Sequence, residues 1–363
     1  MSEERASLRE ARRIVVKVGS RGIADGGGRF VQVAAQVARA RRDKREAVVV
    51  SSGAIALGFT RLGLTERPRE LALLQASAAA GQSLLMRAYE AAFEPHGVHV
   101  AQVLLTHSDL AQRDRYLNVR AALDALLSHG AVPIINENDT VSVEEIKLGD
   151  NDQLAAMVAT IVSADLLVLL TDVEGLLDAD GERVPVVGDA AQVEQLVRPS
   201  SGGLGTGGMG SKLRAARAAT RLGVPVVIAD ARDPEVLDKL MRGEDLGTLF
   251  LPQGAAIASR KHWIAYTLRP KGAVLVDEGA AKAIAGGGKS LLAAGVVGVR
   301  GAFEVGDPVS VVGPGGREVA RGLARLDTGD VAKIAGAKKS ELAERLGRDA
   351  PQEIVHADDL VVL

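Results

Sequence analysis

The sequence predicts an α/β fold: an open, mostly parallel sheet sandwiched by helices, followed by a small β-rich C-terminal domain. Three observations carry this reading. Short aliphatic runs alternate with helix-periodic stretches from Ile14 to Phe250. The chain is 47% apolar but only 2% aromatic, so its core is built from alanine, valine and leucine, which suits helices packed on parallel strands. After Lys261 the texture changes to glycine- and valine-rich runs of strand length. With 363 residues there is room for two domains, and the expected bounds are residues 1–262 and 272–363.

Composition narrows the function classes. The net charge is −2, so nothing global points to nucleic acid or a membrane surface. There is no cysteine, which excludes disulfides and thiolate metal sites and fits a reducing cytoplasm, the expected location. Met1 to Arg13 is charged and predicts no secretory leader. The longest apolar stretch, Ala155 to Leu170, is broken by Thr160, Ser163 and Asp165 and predicts no membrane span.

The elements follow in order. Ile14 to Val16 reads as a first strand, ending in Lys17-Val18-Gly19-Ser20. Lys17 there is equally a phosphate ligand or a surface lysine leaving a strand. Phe30 to Arg42 is helix-periodic with a basic end. Ala47 to Val50 is a second buried strand running into Ser51-Ser52-Gly53-Ala54 and a helix from Ile55 to Leu62. That arrangement suits either anion binding at a helix start or plain N-capping by Ser52. Arg69 to Phe93 is a long helical stretch that Gly81 is expected to interrupt, with Pro95-His96-Gly97 as its stop. Val98 to Leu105 is strand-like and Leu110 to Leu127 helical. His96, His99 and His107 fit no metal-ligand spacing.

Val132 to Ile135 is the next strand and delivers Asn136-Glu137-Asn138-Asp139. A second acidic-amide cluster, Gly149-Asp150-Asn151-Asp152, opens a helix to Val162. Asp165 to Leu170 is a strand ending in Thr171-Asp172. The glycine loop Ser200 to Lys212 precedes a helix from Leu213 to Leu222. It lacks the P-loop order, since Lys212 follows Ser211, but glycine amides and a lysine at a helix start still suit polyphosphate. Val224 to Ile228, Pro234 to Met241 and Thr248 to Phe250 read as strand, helix and strand. In the tail, strands are expected at Ala273–Asp277, Gly295–Val299, Val309–Val312 and Ile354–Val362, with helices at Glu278–Ala285 and Thr328–Ala335. Ala283 to Ser290 nearly spells a P-loop but lacks its first glycine and reads as a turn.

Lys17, Ser52, Asn136–Asp139 and Thr171-Asp172 all fall at predicted strand C-termini, where open α/β sheets bind ligands. The order of these motifs, closing with the glycine loop to Lys212, resembles the amino-acid kinase family over essentially the whole chain. The tail, opening with Val276-Asp277-Glu278-Gly279-Ala280, resembles a PUA domain. Two departures stand out: Arg21 follows Ser20 where the family has a small or amide residue, and Met209-Gly210-Ser211-Lys212 replaces Met-Ser/Ala-Thr-Lys.

The resemblance implies transfer of the ATP γ-phosphoryl group to the side-chain carboxylate of L-glutamate, the opening step of proline synthesis, with Mg²⁺ on the phosphates and proline as inhibitor. It assigns Lys17 and Lys212 as charge clamps, with Asp152 holding both. It assigns Asp139 to the substrate ammonium, and Ser52, Asn136 and Asn151 to its carboxylates. Gly19, Gly53, Thr171, Asp172, Thr206, Gly207, Gly208, Met209, Gly210, Ser211 and Lys212 are assigned to nucleotide. It implies a homo-oligomer, dimer or tetramer, no dedicated metal-site residues, and few protein ligands to Mg²⁺, with Asp152 as a contact for the ion. An N-acetylated acceptor would leave Asp139 without a cation to pair with, which favours free glutamate. The alternatives are another acceptor within the superfamily (N-acetylglutamate, aspartate, carbamate or a nucleoside monophosphate) and an RNA-binding role for the tail. Acidic and basic side chains nearly balance in the tail, which argues against RNA as the main partner.

Overall fold

A computed structural model describes residues 3–20, 28–141, 151–189, 208–253, 264, 268, 270–349 and 351–363. The chain divides into two compact units, Met1–Asp109 with Asp114–Ala256, and Leu110–Arg113 with Ile257–Leu363.

The first unit is built on strands β1 (Arg13–Val18), β2 (Glu46–Ser51), β3 (Val100–Leu105), β4 (Val132–Glu137), β5 (Leu166–Thr171), β6 (Val186–Val187), β7 (Val226–Asp230) and β8 (Thr248–Phe250). The helices that matter to it are α1 (Gly28–Arg42), α2 (Ala54–Arg61), α3 (Leu71–Phe93), α4 (Arg113–Ser128), α5 (Asn151–Ile161), α6 (Met209–Thr220) and α7 (Val236–Met241). The strands lie in the order β3-β4-β2-β1-β5-β7-β8-β6. All neighbours are parallel except β7 and β8. Strand order reverses between β1 and β5, so the crevice beyond their C-terminal ends is the expected binding position.

The central strands are aliphatic at nearly every position because both sheet faces are covered. Ile14, Val16 and Val18 share one core with Phe30, Val33 and Val37 of α1 and Leu85, Tyr89 and Phe93 of α3. The pleat turns Val15 and Lys17 to the opposite face, where α5 packs on β1 and β5. Lys17 is thereby a lysine in a core position.

Helix α3 runs unbroken from Leu71 to Phe93, so Gly81 does not interrupt it. The glycine serves close approach instead. A Cβ on Gly81 would lie 1.8 Å from the Ala54 carbonyl oxygen, and one on Gly58 would lie 1.8 Å from that of Ser77. Helices α2 and α3 therefore cross backbone against backbone.

The second unit carries a five-stranded sheet in the order β11-β9-β12-β13-β15 and a separate β10–β14 pair. Its strands are β9 (Gly272–Val276), β10 (Leu291–Leu292), β11 (Val296–Gly301), β12 (Pro308–Val312), β13 (Glu318–Leu323), β14 (Glu353–Val355) and β15 (Leu360–Val362). Helices α8 (Glu278–Ala285) and α9 (Thr328–Ile334) begin at aspartate caps: Asp277 accepts from the Ala280 N–H, and Asp327 from that of Asp330. The expected single run Ile354–Val362 is two strands split by a turn at Ala357–Asp359, and β13 had no counterpart in the sequence reading.

The helix crossing gives a testable consequence. Gly81→Ala should destabilise the first unit by about 3 kcal/mol or more, because the clash is with backbone rather than with a movable side chain. A thermal unfolding midpoint indistinguishable from the parent's would show that the crossing has room to spare.

Candidate active site

The site starts from one carboxylate. Asp152 lies in the first turn of α5 and is 1% exposed. Its Oδ1 faces Lys17 Nζ at 2.9 Å, and its Oδ2 accepts from Lys212 Nζ at 3.0 Å and from Ser211 Oγ at 2.8 Å. Both lysines are buried. Lys17 comes from the end of β1, and Ser211 and Lys212 come from the first turn of α6.

Local electrostatics explain the arrangement. A carboxylate in the first turn of α5 is favoured by the helix dipole, whereas a lysine in the first turn of α6 is opposed by it. Asp152 offsets that opposition for Lys212 and supplies the counter-charge that a buried Lys17 needs. Burial pushes the Asp152 carboxyl upward, but Lys17 first, then Lys212, then the hydrogen bonds outweigh it and lower its pKa to about 2. Two ammonium groups against one carboxylate leave a net positive charge at the sheet's C-terminal edge. That is a setting for a polyanion.

The neighbouring residue of α5 builds the other half. Asn151 Nδ2 donates toward Ser52 Oγ at 2.7 Å, Asn136 Oδ1 at 3.0 Å and the Ser51 carbonyl oxygen at 3.3 Å. Asn136 Oδ1 also accepts from the Glu137 N–H at 2.9 Å, and Asn136 Nδ2 donates to Gln82 Oε1 at 2.9 Å. Tyr89 OH donates to Ser51 Oγ at 2.9 Å from below. Asn151 Oδ1 is buried with no hydrogen-bond partner among the described residues. An orphaned buried acceptor costs roughly 1–3 kcal/mol until a donor reaches it. The Asn151 amide hydrogens are thus engaged by its neighbours, and its Oδ1 is the atom left without a partner among the described residues.

Ser52 does not cap a helix. Gly53 is the N-cap of α2, with no side-chain cap, and the Ser52 hydroxyl goes to Asn151 instead. Gly53 sits at φ 113°, a conformation that side chains oppose. Gly19 follows β1 directly, and Asp139 is half-buried two residues past β4. Thr171 ends β5 and pairs in register with Asp230 at the end of β7; Thr171 Oγ1 donates to Asp172 Oδ1 at 3.3 Å. Gly208 is the N-cap of α6, whose first turn contains Met209, Gly210, Ser211 and Lys212. Thr206, Gly207, Gly149, Asp150 and Arg21 lie outside the described residues.

Sequence reasoning missed Gln82, Tyr89 and the Asp230–Arg232 pair. Arg232 binds both Asp230 oxygens, through Nε and Nη2 at 2.9 and 2.6 Å to Oδ2 and through Nε at 3.0 Å to Oδ1. An acidic residue closing an apolar strand was the available signal for Asp230. Gln82 had none, because it lies inside a helix.

Residues 12–230 match the Amino acid kinase family. The chain belongs to the amino acid kinase family. Residues 272–346 match the PUA domain. Among relatives of this family member, the glutamate 5-kinase of Pelobacter propionicus is 46% identical, covering 99% of this chain and 100% of that one. The glutamate 5-kinase of Myxococcus xanthus is 48% identical, covering 100% and 99%. Among solved structures, the N-acetylglutamate synthase of Neisseria gonorrhoeae, complexed with coenzyme A and L-arginine, shares the fold. Its TM-score is 0.51 at 18% identity, covering 69% of this chain and 64% of that one.

The Asp152 shift fixes a pH dependence. The group titrates near pH 4 when unfolded and at about 2 when folded. Its contribution to stability is therefore complete above about pH 4 and is lost as pH falls through about 2. Asp152→Asn should cost about 3 kcal/mol at neutral pH, because two buried ammonium groups lose their counter-charge. Unfolding midpoints of the two proteins should converge between about pH 4 and pH 2. A pH-independent gap would assign the loss to packing rather than charge.

Proposed function

We propose that this chain transfers the γ-phosphoryl group of ATP to the side-chain carboxylate of L-glutamate, giving L-glutamyl 5-phosphate and ADP, the first step of proline synthesis. The observation that carries the reading is the buried Lys17–Asp152–Lys212 trio beside the Ser52–Asn136–Asn151 cluster. Near-full-length identity to proteins named glutamate 5-kinase supports the choice of acceptor. The chemistry is assigned to residues 1–262, with residues 272–363 as an appendage.

In this reading a carboxylate oxygen of glutamate attacks the γ-phosphorus while the bond to the β,γ-bridging oxygen breaks. The nucleophile is already ionised at neutral pH, so no general base is needed. Alignment and charge stabilisation carry the catalysis. Lys17 neutralises charge at the β- and γ-phosphates, and Lys212 does so on the leaving side. Asp152 keeps both ammonium groups aimed at that path. Gly19 and Gly53 offer backbone N–H groups, and Thr171, Asp172 and the Thr206–Lys212 segment hold the nucleotide.

Magnesium would enter with ATP. Both Asp152 oxygens face lysines, and no three acidic or histidine side chains cluster as an ion site among the described residues. With both Asp152 oxygens facing lysines, the ion would be held mainly by phosphate oxygens and water. Asp139 and the Asn151 oxygen both suit the substrate's ammonium, and Ser52 suits a carboxylate. Proline, which shares the α-carboxylate and a charged amine, would compete there. A homo-oligomer working in the cytoplasm completes the proposal; no helix is long and apolar enough to cross a membrane among the described residues.

Trapping of acyl phosphate by hydroxylamine tests the reading. Glutamate should give hydroxamate with ATP, proline should suppress it competitively, and N-acetylglutamate and aspartate should give little. A preference for either of those acceptors would overturn the assignment. Lys212→Ala should lower kcat by about 10²–10³-fold in a folded protein, the usual loss for a fixed charge-stabilising group. Near-normal turnover would remove Lys212 from the mechanism.

A further inference from the structure

We propose that Gln82 is a positioning residue for the substrate, acting through Asn136 on Asn151. The inference rests on glutamate being the acceptor that occupies this cluster.

Three amide side chains from three elements stand in line: Gln82 on α3, Asn136 on β4 and Asn151 on α5. Two backbone groups fix which way they face. The Glu137 N–H can only donate, so the Asn136 atom beside it is Oδ1. The Ser51 carbonyl can only accept, so the Asn151 atom beside it is Nδ2. Asn136 must then turn its Nδ2 toward α3, and the group that meets it there has to be an acceptor. Gln82 Oε1 is that acceptor. Gln82 Nε2 in turn donates to Gln102 Oε1 at 3.1 Å on β3.

The consequence reaches the far end of the line. Asn151 Nδ2 has two hydrogens and faces three acceptors, so it has none to offer a ligand. Its Oδ1 is buried, unpartnered among the described residues, and next in sequence to Asp152. Held this way, Asn151 presents a fixed acceptor to a substrate donor. Removing the Gln82 oxygen leaves the buried Asn136 Nδ2 without its partner and loosens the acceptor of the Asn151 amide.

The position of Gln82 is itself constrained. It follows Gly81, where α3 meets the Ala54 carbonyl of α2. The same α2 begins just after Ser52-Gly53. One helix crossing therefore sets both the hydroxyl and the glutamine against Asn151 and Asn136. A surface glutamine on a free helix would have no such fixed reach.

The test is kinetic, in the hydroxamate assay on the full chain. Gln82→Leu should raise the KM for glutamate about tenfold, while kcat and the KM for ATP stay within about twofold, since the lost hydrogen bond affects substrate placement alone. The thermal midpoint is read alongside. Gln82→Met, unbranched and of similar length, carries the same expectation and decides the matter should Gln82→Leu misfold. A glutamate KM within twofold of the parent, or glutamate and ATP constants rising together, would overturn the proposal. A parent enzyme inert toward glutamate would overturn the substrate reading, and this inference with it. An active parent with unchanged variants would overturn this inference alone.

Discussion

The structure depends on one carboxylate shared by two buried ammonium groups. Asp152 is what allows Lys17 to occupy a core position on β1 and Lys212 to sit at the disfavoured end of α6. Neither lysine is positioned by solvent. Both are fixed by secondary structure and by a group from a third element. The result is a preorganised positive site; under the proposed function it would meet a polyphosphate without rearranging, which is the form of catalysis phosphoryl transfer requires.

The first turn of α5 divides the site between adjacent residues. Asp152 turns to the lysines, and Asn151 turns to β2 and β4. A rigid helix start thus ties the lysine pair to the Ser52–Asn136 cluster at a fixed separation, the two being the proposed phosphate and acceptor sides. That separation is further braced by the α2–α3 glycine crossing, which locates Gly53 and Gln82 together. Proximity of the two substrates is, on this account, a property of backbone packing rather than of loops.

Much of this was legible from the sequence. Aliphatic runs marked the central strands, and clusters of amides, carboxylates and lysines at their ends marked the crevice. Thr248–Phe250 falls where expected, and α1 and β4 differ by only one or two residues at their ends. The failures have physical reasons. Gly81 looked like a helix break because its backbone role depends on a partner helix not visible locally. For Ser52 the choice between anion binding and N-capping stayed open, because its hydrogen-bond partner, Asn151, is 99 residues away. The direction of the Asn151 amide is set by backbone groups of β2 and β4, which no local pattern encodes. Strand β6 is two residues long and pairs only with a distant edge, so it carries no periodicity.

The most direct test of the shared-carboxylate account is a crystal structure with glutamate, MgADP and aluminium fluoride in place of the transferring group. The account predicts that Lys17 and Lys212 each place Nζ within about 3 Å of the fluoride or the phosphate oxygens flanking it, while both remain in contact with Asp152. A complex in which either lysine points away from the transferring group, or in which Asp152 has released both, would contradict it.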